Sequence, residues 1–215
     1  MKKTLLSLIV MCSFSAAAAP YVGVEYGIGS TSTDFHSSFS ADGVNLDPSS
    51  EDGITSAFVG YSFNPTWAIE LGYSQFDLDD SQSKNLGIAN VGGKDYHHEM
   101  DWNSSAKAKQ ISLAPVYTYA LNSDWTTKFK AGLTYTQYKT SESKSQEYEL
   151  VTNDDVEMEN GLFHRSSDSN EVGAMLSIGT EYVVLPQLTI GANVKYQLDS
   201  YANTTSFNVG TTYYF

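Results

Sequence analysis

Eight stretches of this chain place an apolar residue at every second position, the period of a β-strand whose side chains alternate between two faces. The runs are Val22 to Ile28, Ala57 to Phe63, Trp67 to Tyr73, Ile111 to Leu121, Trp125 to Tyr135, Val172 to Val184, Leu188 to Leu198 and Phe207 to Phe215. Every position of this phase is apolar or aromatic except Thr127, Thr180 and Thr211, and none is charged. The opposite phase carries Glu25, Glu70, Lys128, Lys130, Glu181 and Lys195, with Asn193, Gln197, Asn208 and every glycine inside the runs. A soluble sandwich would turn its apolar phase inward and leave a uniformly polar outer phase. Glycine on the polar phase instead fits a narrow interior crowded by side chains. Apolar-out, polar-in strands of about ten residues are the pattern of a transmembrane barrel. The expected fold is all-β, an eight-stranded antiparallel up-and-down β-barrel.

The connections agree with that fold. Three are tight and built from turn residues, at 64–66, 122–124 and 185–187. They alternate with long segments, 31–52, 79–105 and 141–169, and a short one around Ser200–Asn203. Short turns on one side and long loops on the other are the outer-membrane asymmetry, so the three long loops are expected to be extracellular. Aromatic residues, among them Tyr61, Phe63, Trp67, Trp125 and Tyr182, cluster beside the short turns as an interfacial girdle. Pro115 removes a ladder donor in mid-strand, and a local bulge is expected there.

Residues 1–18 read as a cleaved signal peptide. Lys2 and Lys3 precede the apolar run Leu5 to Met11, and Ala16 and Ala18 supply the small residues of a cleavage site. That run is far shorter than the roughly 20 residues of a membrane helix. The sole cysteine, Cys12, lies in this leader, so residues 19–215, taken as one barrel domain, have no disulfide or thiolate chemistry. Removing Lys2 and Lys3 from the 12 basic residues leaves 10 against 25 acidic ones. So acidic a surface repels phosphate backbones, and nucleic acid is excluded as a partner.

The last run, Phe207-Asn-Val-Gly-Thr-Thr-Tyr-Tyr-Phe215, alternates and ends on an aromatic. With the pattern of the whole chain from residue 19, it resembles the small OmpA-type eight-stranded outer-membrane barrels. The opening Pro20 to Gly29, the leader and the length look closest to members that act as accessory colonization factors. The resemblance implies a Gram-negative outer-membrane location, and assembly machinery that reads a terminal strand ending in Phe215. It also implies a surface protein that helps a bacterium colonise its host, with no catalytic residues to carry over and no cofactor. No further domain is expected after the barrel.

Charge on the inward phase must be paired or it is very costly, and Glu25, Glu70 and Glu181 balance Lys128, Lys130 and Lys195. An internal salt-bridge plug is the structural reading; an ion or proton path is the alternative. The long loops hold 18 acidic and four basic residues. They read as a solvated, like-charge-repelling surface or as a recognition surface for a cationic host partner. His97, His98 and Glu99, flanked by Asp95 and Asp101, are metal-ligand types, although adjacent histidines rarely share one ion. The run Asp154 to Glu159 is acidic without the spacing of a calcium loop. His36 with Asp80 and Ser81 supplies the residue types of a lipid A acyltransferase, but the charged interior offers no acyl pocket.

One further feature follows from register. Pairing the fourth and fifth runs about Ser123 places Lys109 opposite Gln137 and Lys107 opposite Lys139, all outward and above the apolar band. Facing like charges call for a counter-charge. Lipopolysaccharide phosphates are one source, and simple solvation at the rim is the other reading. The expected function is a non-enzymatic surface protein for adhesion or colonisation, with a structural barrel and a lipid A-modifying enzyme as alternatives.

Overall fold

The computed structural model describes residues 19–215 apart from 35, 36, 51 and 154. The expected signal peptide, His36 and Asp154 lie outside the described residues. The strands are β1 (Ala19–Thr33), β2 (Ser49–Ser50), β3 (Ile54–Ser62), β4 (Trp67–Val91), β5 (Lys94–Ala120), β6 (Trp125–Leu150), β7 (Glu157–Leu185), β8 (Leu188–Leu198) and β9 (Ala202–Tyr214). Among the described residues every pairing is antiparallel: β1 pairs with β3, each strand from β3 to β8 with the next, and β1 with β9 from Tyr21↔Tyr214 to Thr33↔Ala202. That last ladder closes eight strands into a ring, while the two-residue β2 lies outside it against Leu78 and Asp79 of β4.

The alternation in the sequence becomes the two sides of the wall. Ile28, Leu133 and Val172 are 65%, 66% and 70% exposed, while Glu70, Lys128 and Asn208 on the other phase are buried. A continuous belt of exposed large apolar side chains is stable only against lipid. Rings gather beside the short turns, with Trp67 on Tyr117 at 5.1 Å and Trp125 on Tyr182 at 5.0 Å between centroids. Two of these turns are built alike. Asn64 Oδ1 accepts from the Thr66 and Trp67 amides, and Asn122 Oδ1 from those of Asp124 and Trp125. Each asparagine side chain stands in for a backbone acceptor and locks its hairpin register.

Two expectations are corrected. Segments 79–105 and 141–169 are not irregular loops: β4 to β7 run 25 to 29 residues, with β4 ending at Val91, β5 beginning at Lys94, β6 ending at Leu150 and β7 beginning at Glu157. A tilted strand crosses a bilayer in about 9–11 residues, so the upper parts of these four stand beyond it as one sheet. Apolar alternation reports lipid contact, and it stops where lipid stops, although backbone pairing continues. Pro115 produces no bulge either. β5–β6 pairing skips Ala114 and Pro115 and resumes at Val116↔Lys130 in unchanged register. The missing proline donor costs one rung of the ladder without inserting a residue.

Residues 37–50 fold onto this sheet. Phe39, Val44 and Leu46 bury themselves with Trp102 of β5. A 3₁₀ turn, Ser40–Asp42, ends at Gly43 with φ 76°, a left-handed conformation that glycine adopts without strain.

Candidate functional site

The barrel interior gathers the six charged residues of the inward phase. Lys128 Nζ lies 2.8 Å from Glu181 Oε1, Lys130 Nζ 2.6 Å from Glu70 Oε2 and 3.9 Å from Glu25, and Lys195 Nζ 3.3 Å from Glu25 Oε2. Hydroxyls and amides complete the network. Tyr21 donates to Glu70, Tyr214, Thr189 and Thr212 donate to Glu181, and Asn193 donates to Glu25. Sequence reasoning missed Tyr21, Tyr214, Thr189 and Thr212. Phase was the available signal, since Tyr21 shares parity with Glu25, and Tyr214 stands opposite in parity to the outward Tyr213 and Phe215.

Above the charges lies an amide layer, Gln197 to Gln110 to Thr136. Above that is an apolar cluster of Ile54, Phe76, Leu78, Ala106, Ala108, Tyr138 and Ala202. Cavities touching the charge network measure about 20 and 30 Å³, room for a water or two. An eight-stranded wall leaves just this space for side chains to fill. Among the described residues, the interior around the six charges is therefore packed with paired side chains.

The rim lysines are outward and exposed, with Lys107 opposite Lys139 and Lys109 opposite Gln137. Counter-charges come partly from the protein. Asp77 lies 3.7 Å from Lys107, and Asp168 is the register partner of Lys139 on β7. Lys109 sits between Gln75 and Gln137.

Beyond the rim, the protruding sheet has distinct faces. On one, Glu99, Glu147 and Glu159 stand in a single cross-strand row, with Glu149 opposite Glu157 beside it. Desolvation, then the carboxylates of Glu157, Asp101, Glu99 and Glu149, hold the Glu147 carboxyl above its ordinary range. On the other face, Asp42 of segment 31–52 accepts from Lys144 Nζ at 2.7 Å and Trp102 Nε1 at 3.1 Å. Those two donors hold its carboxyl below the usual range. Ser38 donates through both its amide and its hydroxyl to Glu142.

His97 and His98 point to opposite faces, as neighbours on a strand must. His98 stacks on Tyr148 with centroids 4.4 Å apart. Among the described residues no group of three His, Cys, Asp or Glu side chains is placed to hold a metal ion. Asp80 accepts from the Asp47 amide, and Ser81 pairs with Asn103 across β4 and β5.

The outer membrane protein beta-barrel domain model matches residues 4–215. The chain belongs to that family. This outer-membrane barrel resides in the Gram-negative outer membrane, in a lipid environment. No curated protein matches it. Among solved structures it resembles Ail, the attachment invasion locus protein of Yersinia pestis, at 12% identity over 93% of this chain and 99% of that one, with a TM-score of 0.50. Neisserial surface protein A matches at 13% identity over 92% and 99%, TM-score 0.52. OprG from Pseudomonas aeruginosa matches at 14% over 93% and 96%, TM-score 0.52. At these identities the likeness is one of fold.

Proposed function

We propose that this outer-membrane barrel is a non-enzymatic surface protein for adhesion or host colonisation, acting through the sheet that β4 to β7 raise beyond the membrane on the extracellular side. The observation that carries the reading is the pair of free edges on that sheet. Among the described residues, 80–91 of β4 pair only with β5, and 157–173 of β7 pair only with β6. A row of unpaired backbone groups is a template for an added strand. Beside it the Glu99–Glu147–Glu159 row favours a cationic partner. The likeness of the opening residues to accessory colonization factor A supports the same reading.

The packed, ion-paired interior favours one second reading, a structural barrel that supports envelope integrity. A lipid A acyltransferase is the third, and the filled interior counts against it. Trimming both hairpins separates the first two readings. Residues 82–102 and 143–164 are each replaced by a two-residue turn. The expected result is a folded barrel that no longer binds host cells; undiminished binding by the trimmed barrel refutes the adhesin.

A further inference from the structure

On the lipid face of β5 to β8, two short residues stand side by side. Register places Ala131 beside Leu176 and Leu176 beside Tyr196, with Pro115 on the other flank of Ala131. In the next row toward the short turns stand Tyr117, Phe129, Ile178 and Val194, with Trp67 opposite Tyr117. The rings and branched chains form banks around Ala131 and Pro115, flanking a shallow open trough of about 600 Å³. Its walls are almost wholly carbon. Lys130 and Ser177 border it, but their polar ends turn inward, to Glu70 and to Asn193.

We propose that this trough binds one acyl chain of a phospholipid from the adjoining leaflet. The trough opens on the face that lipid covers, and its apolar walls give water no partners, so hydrocarbon is what fills it. Trp67 and Tyr117 mark its interfacial end, where an amphipathic ring meets a headgroup and the ester region. At its floor the β5–β6 ladder skips Ala114 and Pro115, so the wall lacks a rung there, and the Lys130–Glu70 pair lies one strand's thickness behind it. A seated chain keeps water off that place, where an unmatched backbone group is most costly.

The test uses the whole barrel refolded in bilayers of palmitoyl-oleoyl phosphatidylglycerol, extracted in mild detergent and weighed intact by native mass spectrometry. Ala131→Trp fills the trough, and Ala131→Leu serves if the larger ring prevents folding. Ala57→Trp, outward on the distant β3, is the control. Parent and control should each retain one phospholipid through delipidation, and the Ala131 variants at least tenfold less. Retention by the Ala131 variants equal to the parent overturns the site, as does loss in the control. A parent that runs as a dimer without lipid, made monomeric by Ala131→Trp, assigns the trough to a second copy instead and also overturns it.

Discussion

Lys130 and Glu70 meet at 2.6 Å inside the barrel, and the same ammonium stands 3.9 Å from Glu25, so one lysine neutralises two carboxylates. Lys130→Met should therefore cost about 3–5 kcal/mol, the range for a buried charge stripped of its partner. Lys128→Met should cost less, because Glu181 keeps donors from Tyr214, Thr189 and Thr212. Glu70→Gln in the Lys130→Met background should recover part of the loss. Urea unfolding from lipid vesicles measures all three. Equal costs for the two lysines contradict the shared-partner geometry.

Tyr21 and Gly60 face each other across β1 and β3, and a Cβ at Gly60 would collide with the tyrosine ring. Gly60→Ala should destabilise by about 1–3 kcal/mol as an overpacked core does. In a Tyr21→Val background the same change should cost much less. A double-mutant cycle with no coupling between the two sites would dismiss the ring contact.

The clasp between segment 31–52 and the sheet should open in acid. Asp42 titrates below its ordinary 3.8 in the folded state, held down by Lys144 and Trp102. A depressed carboxyl contributes stability above the unfolded value and loses it as pH falls through the folded one. Protease nicking within 37–48 should therefore rise below about pH 4, and Asp42→Asn should be nicked at neutral pH as well. Glu147 has the opposite sign: raised in the fold, its contribution is present in mild acid and disappears as pH climbs through the raised value. Neutralisation by Glu147→Gln should make the sheet tip less pH-sensitive in hydrogen exchange.

At the rim, changing Lys107, Lys109 and Lys139 to Gln should leave refolding in phosphocholine detergent unaltered. It should weaken the thermal stabilisation that added lipopolysaccharide gives. Because Asp77 pairs with Lys107 and Asp168 stands opposite Lys139 in register, Asp77→Asn with Asp168→Asn should strengthen that stabilisation. A melting shift the same in all three proteins disposes of the phosphate contact.

Single cysteines introduced at Gly92 and Asn153 should label on intact cells, and one at Asn122 should not. The opposite pattern inverts the barrel.

Much of this architecture was readable from the chain because lipid imposes a strict two-residue period, and that period fixed strand identity, facing and register. Pairing about Ser123 put Lys107 opposite Lys139, as β5 and β6 do. What lies above the lipid was not readable in the same way. Between Ser81 and Asn103, or Ser143 and His164, both faces carry polar side chains, so no hydropathy contrast marks the strands that backbone hydrogen bonds still build. Tyr21 and Tyr214 escaped notice for a related reason. An aromatic residue on the inward phase looks like a stray until a carboxylate accepts its hydroxyl and, for Tyr21, Gly60 opposite leaves the ring room.

The continuity of β4 to β7 through the membrane boundary has a mechanical consequence. The 17 residues 157–173 rise roughly 40 Å at a strand's rise and a barrel's tilt. There is no hinge of irregular chain between that mast and its footing. A load applied across the end turns would peel the hairpins one hydrogen bond at a time, each giving way at low force. A load spread along a β7 edge would strain many bonds at once, in shear, and pass straight into the closed ring below. Attachment along the edge thus holds against flow far better than attachment at the tip.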